Sequence, residues 1–304
     1  MQVTFLGTSA ARPTVERSVS SIAIQREGET LMFDCGEGTQ RQMMRFGVSF
    51  TLAEIFVTHY HADHYLGIIG LIRTLGLQGR EEPMTIFGPV GGRKLLGSAI
   101  DIGYERAPFE VIVRELKPGE RLQRDAYDIV AYQADHGRSA LGFAVVERER
   151  LGRFDPDKAR ALGIPEGPLW GTLHKGERVR LEDGTEIGPE ELVGPPRPGR
   201  TVVYSGDTRP TAATREIAEG ADLLIHDATF THEELERARE TSHSTAVEAA
   251  QVALSAGVQR LILTHVSARY STDFYPLLNE AREVFPETLV AQDGMKIEIP
   301  YRES

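Results

Sequence analysis

The residues with the clearest chemical potential lie in one short segment. Residues 59–64 read His-Tyr-His-Ala-Asp-His and directly follow the apolar run 54–58. Neutral imidazole and carboxylate groups bind zinc and, less commonly, manganese or iron. The density of ligands predicts a metal centre, and the weaker alternative is a polar loop with a surface cluster of histidines.

Histidine and aspartate also follow other apolar runs of the sequence. These residues are His136, Asp207, the pair His226-Asp227, and His265. The ends of strands in a layered sheet gather along one edge, where α/β proteins place their sites. We therefore expect these side chains to lie beside residues 59–64, although each of them alone is also typical of an ordinary loop or turn.

The order of apolar and polar residues favours a layered α/β fold. Strand-like segments at 21–24 and 31–34 predict a hairpin, residues 38–46 predict a helix, and strands and helices alternate afterwards. Residues 147–199 are rich in proline and glycine and predict an excursion or linker. Thr245 and Glu248 have the spacing of a capping box for a helix that runs through Ser255.

Composition excludes several classes of protein. The chain has 304 residues and one cysteine, Cys35, so it forms no intramolecular disulfide and no cysteine-based zinc finger. The longest apolar run, around Leu66–Ile72, is far shorter than the ~20 residues of a membrane helix. The first residues lack the pattern of a secretory signal. We expect a cytoplasmic protein with no membrane partner.

The net charge limits how the chain could bind nucleic acid. Asp and Glu number 45 against 34 Lys and Arg, which gives a net charge of −11. Proteins that bind nucleic acid non-specifically are normally basic. Any RNA must therefore be bound through a local basic patch, and part of the acidic excess is available to bind cations.

The HxHxDH motif resembles the metallo-β-lactamase superfamily, and His136, Asp207 and His265 follow it in the order found there. The resemblance implies a four-layer αββα sandwich with two metal ions at its edge. It implies that the first metal is held by His59, His61 and His136, the second by Asp63, His64 and His265, and both by Asp207. Two metals roughly 3.5–4 Å apart can hold a hydroxide and stabilise an in-line displacement at phosphorus.

Further motifs resemble the ribonuclease Z family over nearly the whole chain. They are Phe5–Thr8, Phe33–Gln40, His226–Phe230, His243–Thr245 and Leu263–Tyr270. The resemblance implies a homodimeric, zinc-dependent endoribonuclease with two Zn²⁺ per subunit. Such an enzyme removes the 3′ trailer from precursor tRNA: a metal-activated hydroxide attacks the phosphodiester after the discriminator base, leaving a 3′-OH on the tRNA and a 5′-phosphate on the trailer.

The same resemblance implies roles for three catalytic residues. His243 would assist the leaving 3′ oxygen, since a positioned imidazole can supply the proton that this oxygen needs. Asp227 would orient His243, at a position where the family usually has glutamate. Asp63 would act both as a metal ligand and as a group that orients the attacking hydroxide.

Residues 148–199 resemble the protruding flexible arm of the family, inserted in a single domain spanning residues 1–304. The resemblance implies that the arm of one subunit binds the tRNA elbow and serves the active site of the other subunit. Lys175, Arg178 and Arg180 are candidate phosphate contacts, or else part of a solvated charged loop. Trp170 is expected to pack within the arm. Arg269 either meets a phosphate near the metals or pairs with a carboxylate.

One motif departs from the family pattern. Bacterial relatives carry Pro-x-Lys-x-Arg-Asn after the first strand, in a loop linked to handling of the CCA end. The matching segment Pro13–Ser18 has Val15 and Ser18 in place of the lysine and asparagine. The resemblance therefore does not imply that this chain leaves uncut the transcripts that already carry CCA.

Two other classes of function stay open at the level of sequence. A small phosphodiester or ester hydrolase would share the fold and the metals, but would have no use for a distant arm. A metal-stabilised RNA-binding scaffold would need no catalytic residues, whereas this chain carries the full set of seven ligands.

Overall fold

The computed structural model describes residues 1–102, 107, 109–181 and 183–302, which divide into two compact units. The first unit consists of residues 1–146 and 201–300, and the second of residues 147–200 with the chain from Tyr301 onward. Each has its own hydrophobic core. The predicted arm, residues 148–199, lies in the second unit.

The described strands are short and number sixteen. In chain order they are β1 (Gln2–Gly7), β2 (Ser21–Arg26), β3 (Glu29–Phe33), β4 (Glu54–Phe56), β5 (Met84–Pro89), β6 (Val111–Leu116), β7 (Arg121–Gln123), β8 (Tyr127–Gln133), β9 (Leu141–Glu147), β10 (Val179–Arg180), β11 (Glu186–Ile187), β12 (Thr201–Tyr204), β13 (Leu223–Asp227), β14 (Leu261–Thr264), β15 (Thr288–Val290) and β16 (Lys296–Glu298).

The helices of the described residues are α1 (Thr39–Phe46), α2 (Ala62–Tyr65), α3 (Gly67–Leu77), α4 (Gly92–Ile100), α5 (Pro156–Ala161), α6 (Pro168–His174), α7 (Ala212–Ile217), α8 (Leu235–Glu240), α9 (Ala246–Ala256) and α10 (Tyr275–Val284). Short 3₁₀ turns lie at Pro189–Glu191, His232–Glu234 and Ala268–Tyr270. The predicted capping box is confirmed: Thr245 and Glu248 each bond the other's backbone at the start of α9. Within the described part of the chain, no helix has the length and apolar character needed to cross a bilayer.

Two seven-stranded sheets form the framework of the first unit. The order of the first sheet is β16-β1-β2-β3-β4-β5-β6, antiparallel up to β3 and parallel from β3 to β6. The order of the second is β15-β14-β13-β12-β9-β8-β7, with β12 to β15 parallel. Parallel strands are covered on both faces, which is why β13 is buried at every position.

The inner faces of the two sheets pack against each other through one hydrophobic core. Phe33 and Phe56 of the first sheet and Phe143 and Tyr204 of the second belong to it. The Phe33 and Phe143 rings lie 5.8 Å apart between centroids, and the Phe56 and Phe143 rings 5.6 Å apart in an edge-on arrangement. Aromatic pairs at such distances favour tilted and edge-on packing, which fixes the two sheets against each other.

Helices cover both outer faces. Met43 of α1, Leu71 of α3 and Leu96 of α4 pack with Met32 and Ile86 on the first sheet. Residues of α9 and α10 pack on the second sheet; they include Ala249, Ala253 and Leu277, with Leu224 and Leu263 beneath them. The layers therefore run helix, sheet, sheet, helix, and the predicted four-layer αββα fold is confirmed.

The second unit is more regular than its proline content suggests. Pro156 and Pro168 stand in the first turns of α5 and α6, where the missing N–H costs nothing and the fixed φ angle favours a helix. A small core includes Ala159 and Leu173. Trp170 packs within this unit, as expected: its Nε1–H donates to the Ile164 carbonyl at 3.2 Å.

Candidate metal centre

The carboxyl ends of the strands bring the chemistry-bearing residues to one edge of the first unit. The segment 59–64 begins shortly after β4, and its second half forms α2. His136 follows β8, Asp207 follows β12, Asp227 ends β13, and His265 follows β14 directly. The structure brings all seven predicted ligand side chains into two adjoining groups.

The first group consists of His59, His61, His136 and Asp207. The Nδ1 atom of His61 lies 3.0 Å from His59 Nε2 and 3.1 Å from His136 Nε2. The Asp207 Oδ2 atom lies 3.5 Å from His59 Nε2 and 3.8 Å from His136 Nε2. Three nitrogens and one oxygen thus converge on one point, the arrangement of a tetrahedral N/O metal site.

The second group consists of Asp63, His64 and His265. His265 Nε2 lies 3.3 Å and His64 Nε2 3.5 Å from Asp63 Oδ2. The same two nitrogens each lie 3.3 Å from Asp207 Oδ2. Asp207 therefore stands between both groups, in the position that a bridging ligand requires.

In four of these histidines, the ring nitrogen Nδ1 makes a hydrogen bond to a neighbouring residue. The contacts from Nδ1 are His59 to Thr58 Oγ1 (3.1 Å), His64 to Asp34 Oδ2 (2.8 Å), His136 to the Ser242 carbonyl (2.8 Å) and His265 to Thr229 Oγ1 (2.9 Å). An acceptor at Nδ1 places the proton there and leaves the Nε2 lone pair free for a metal ion.

Two of those contacts depend on buried carboxylates. The Thr58 hydroxyl donates to Asp34 and the Thr229 hydroxyl donates to Asp227. Each hydroxyl proton is thereby used, so the threonine oxygen must accept from the neighbouring imidazole. Asp34 and Asp227, both fully buried, thus set the tautomers of His59 and His265 through a threonine.

The donor set fits divalent cations. In the described part of the chain, His64 Nε2 and Asp207 Oδ1 are buried and lack a hydrogen-bond partner, which is costly unless a ligand binds there. Burial and the neighbouring His64 hold the pKa of His59 well below its ordinary value, which keeps this imidazole neutral. Burial opposes ionisation of Asp207, but the surrounding imidazoles hold its pKa well below the ordinary value. His59 and Asp207 are therefore in the forms that bind metal. Burial lowers the pKa of His64, but Asp207 and Asp34 outweigh it and raise this pKa well above its ordinary value, so His64 would release a proton on binding metal.

The pair His243 and Asp227 lies beside the two candidate ligand groups. His243 Nδ1 lies 2.8 Å from Asp227 Oδ2, so the aspartate reaches the histidine despite its short arm. Asp227 also accepts hydrogen bonds from the backbone N–H groups of Thr208 and Thr229, each at 3.0 Å. Burial lowers the pKa of His243, but Asp227 outweighs it and raises this pKa to about 9. The His243 ring stacks on that of His265 at 5.0 Å between centroids.

The other candidate substrate-binding residues have different surroundings. Arg269 lines a cavity beside His243 and His265, and it pairs with Glu234 at 2.5 Å. In the second unit, Arg178 pairs with Glu190, and the Arg180 Nε–H donates to the Gly184 carbonyl at 3.3 Å. Lys175 is exposed.

The segment that departs from the family pattern is held by buried polar contacts. Arg17 is buried, and its guanidinium donates to Thr8 Oγ1 at 2.7 Å and to the Ala291 carbonyl at 2.6 Å. The Ser18 N–H donates to Asp293, whereas Val15 is 96% exposed. Arg17 therefore anchors this segment rather than facing solvent.

Sequence reasoning assigned no role to several residues that support the site. Asp34 lies within the motif Phe33–Gln40, but its contact with His64 forms only when β3 and β4 pair in the first sheet. The Ala11 N–H donates to Asp63 Oδ2 at 2.8 Å from a left-handed conformation, with φ of 59°. Alanine gives no sequence signal for such a conformation, since glycine and asparagine are the usual residues there.

Comparisons with known proteins identify the family. A model of the beta-lactamase superfamily domain matches residues 192–266, and a model of the anti-Pycsar protein Apyc1 matches residues 1–92. The ribonuclease Z of Gemmatimonas aurantiaca is 57% identical over 99% of this chain and 96% of its own length. That of Haloferax volcanii is 53% identical over 100% of this chain and 96% of its own length.

Solved structures agree with these relatives. The short form of human tRNase Z has a TM-score of 0.73 and 28% identity, and the match covers 99% of this chain and 100% of that one. The metallo-beta-lactamase fold protein YhfI from Bacillus subtilis has a TM-score of 0.70 at 20% identity, over 97% of this chain and 98% of that one, and shows the same fold. The chain therefore belongs to the ribonuclease Z family of the metallo-β-lactamase superfamily.

Proposed function

We propose that this chain is a metal-dependent endoribonuclease that removes the 3′ trailer of precursor tRNA. The cut falls after the discriminator base and leaves a 3′-OH on the tRNA and a 5′-phosphate on the trailer. The observation that carries this proposal is the convergence of two ligand groups on Asp207, with the His243–Asp227 pair beside them. Full-length identity of 57% to a ribonuclease Z supports the choice of substrate.

Two Zn²⁺ ions are the proposed cofactors. His59, His61 and His136 would hold one ion, and Asp63, His64 and His265 the other, with Asp207 binding both. When bound, the ions supply positive charge that lowers the pKa of a water molecule and neutralises the phosphodiester. The rest of the chemistry falls to the protein.

His243 is the proposed general acid for the leaving 3′ oxygen. Asp227 accepts a hydrogen bond from its Nδ1–H, so the ring is held in one orientation and its protonated form is stabilised. Positioned proton transfer of this kind contributes roughly 10²–10⁴-fold to a reaction rate. Asp63 is proposed to orient the attacking water, since the Ala11 N–H holds its Oδ2 in place.

Residues 148–199 are proposed to form the tRNA-binding arm, in a homodimer located in the cytoplasm. Exposed Lys175 is the best placed of the three basic candidates, because Arg178 already pairs with Glu190 and Arg180 bonds the Gly184 carbonyl. Burial of Cys35, the single cysteine, is consistent with a reducing compartment that needs no disulfide.

The proposal is tested by comparing a precursor tRNA with bis(p-nitrophenyl) phosphate as substrates. We expect the wild type to cut the precursor, and His64→Ala and Asp207→Ala to lose both metal and cleavage while keeping native circular dichroism. His232→Ala is the matched control, because this histidine lies outside both ligand groups. Turnover of the small diester alone would instead assign a small-ester hydrolase, and no hydrolysis by the metal-loaded protein would assign a scaffold.

A further inference from the structure

A cavity of about 470 Å³ opens beside the His243–Asp227 pair in the first unit. His243 and His265 line it on the side of the metal-binding groups, and Phe230 is among its other lining residues. Its position next to the proposed general acid makes it a place for the part of a substrate that carries the leaving oxygen. The inference below rests on the proposed function.

The cavity is positively charged, in contrast to the chain as a whole. Three arginines line it, Arg12, Arg237 and Arg269, and no aspartate or glutamate is among its described lining residues. Glu234 neutralises Arg269. Arg12 and Arg237 are exposed and have no ion-pair partner among residues 1–102, 107, 109–181 and 183–302. In a protein of net charge −11, this is a local patch that could attract a polyanion.

Arg237 is held at a fixed place relative to His243. It lies on α8, and the carbonyl of the next residue, Ala238, accepts a hydrogen bond from the His243 N–H at 2.8 Å. The Arg237 guanidinium stands 5.8 Å from the centroid of the Phe230 ring, within the range of a cation–π contact. Phe230 is nearly buried and therefore forms a rigid wall against which the arginine rests.

We propose that Arg237, together with Arg12, binds RNA phosphates on the 5′ side of the scissile bond, so that the cavity is the subsite for the discriminator nucleotide. The chemistry of the cut decides which side of the scissile bond lies in the cavity. His243 gives its proton to the 3′ oxygen, and this oxygen stays on the discriminator ribose after the P–O3′ bond breaks. The nucleotide that bears it must then lie on the His243 side, with its own 5′ phosphate near the unpaired guanidiniums.

The test combines Arg237→Gln with a precursor tRNA that carries a neutral methylphosphonate at one defined position. The first position is the phosphate 5′ to the discriminator nucleotide, and the second is the first phosphate within the trailer. Arg239→Gln is the matched control, because Arg239 lies on the same helix, is exposed, and pairs with Glu236.

We expect Arg237→Gln to lower kcat/KM about tenfold, mainly through KM, as loss of a charged phosphate contact does. The slope of log KM against log salt should decrease in magnitude by about 1. The 5′-side methylphosphonate should lower wild-type cleavage by a similar factor but change the Arg237→Gln variant by less than about twofold, because the two changes remove one contact. Arg239→Gln should match the wild type on every substrate.

Additive effects of Arg237→Gln and the 5′-side methylphosphonate would overturn the inference, as would coupling to the trailer phosphate instead. If the wild type fails to cut unmodified precursor, the proposed function is wrong. The subsite is then tested separately, by measuring how tightly each variant binds a tRNA that ends at the discriminator. Weaker binding by Arg237→Gln than by Arg239→Gln would then support the subsite, and equal binding would overturn it.

Discussion

Replacing Asp34 by asparagine should weaken metal binding although Asp34 is not itself a proposed ligand. Its Oδ2 atom accepts from His64 Nδ1–H and from the Tyr204 hydroxyl, each at 2.8 Å. Its Oδ1 atom accepts from the Thr58 N–H at 2.7 Å. Both carboxylate oxygens therefore face donors, and an asparagine amide must direct its NH₂ group at one side or the other.

The magnitude follows from which donor loses its acceptor. With the amide oxygen towards His64, the Thr58 N–H is left buried and unpaired, at a cost of about 1–3 kcal/mol. The remaining hydrogen bonds lose their charged acceptor, which lowers the free energy of unfolding by about a further 1–2 kcal/mol. With the NH₂ group towards His64, the imidazole must move its proton to Nε2 and lose the lone pair for metal. Changes in such supporting hydrogen bonds typically lower metal affinity about 10–100-fold.

Competition for zinc with a chromophoric chelator measures the affinity, and urea unfolding of the metal-free protein measures stability. Tyr204→Phe is the matched control: it removes one donor to Asp34 but leaves the contact with His64. We expect it to cost about 1 kcal/mol of stability with little change in zinc affinity. The reasoning is refuted if Asp34→Asn binds zinc as tightly as the wild type, or if Tyr204→Phe loses as much affinity as Asp34→Asn.

Three further predictions concern catalysis, packing and thiol reactivity. His243→Ala should lower kcat by about 10²–10⁴-fold with unchanged zinc content, and a parallel loss of zinc would contradict a role confined to proton transfer. Gly67→Ala should destabilise the fold by more than about 2 kcal/mol in urea, because its Cβ would lie 1.9 Å from the Gly36 carbonyl oxygen. In the control Gly97→Ala on α4, the added Cβ meets nothing within 4 Å, so this change should be neutral or stabilise the fold by about 0.5–1 kcal/mol. Equal losses of stability in the two variants would refute the packing argument. Burial raises the pKa of the Cys35 thiol to about 12, so Ellman's reagent should label it only after unfolding, and rapid labelling of native protein would contradict this.

The gathering of these histidine and aspartate side chains at one edge was predictable from sequence because two rules act together. Ligands must be histidine or carboxylate, and the carboxyl ends of β4, β12, β13 and β14 meet along one edge. The strand pattern indicated a layered α/β fold, and the four-layer αββα arrangement was implied by the resemblance of the HxHxDH motif to the metallo-β-lactamase superfamily. The capping box of α9 was predictable because both of its partners lie within one turn.

The supporting contacts could not be read from the sequence, because they join residues far apart in the chain. Asp34 and Tyr204 come from different sheets, and their contact exists only when the sheets pack. The left-handed conformation of Ala11 has no signature in an alanine. In the second unit, prolines that suggested irregular structure instead begin helices, because a proline in the first helical turn favours the helix.

The measurement that tests the central proposal most directly is end-mapped cleavage of two precursor tRNAs, one with a plain trailer and one with an encoded CCA, each with and without a chelator. The account predicts a chelator-sensitive cut after the discriminator, with a 3′-OH on the tRNA and a 5′-phosphate on the trailer. The CCA substrate reports whether the altered segment Pro13–Ser18 still excludes such transcripts. Absence of a cut on either substrate by zinc-loaded protein, or a cut that persists in chelator, would contradict the account.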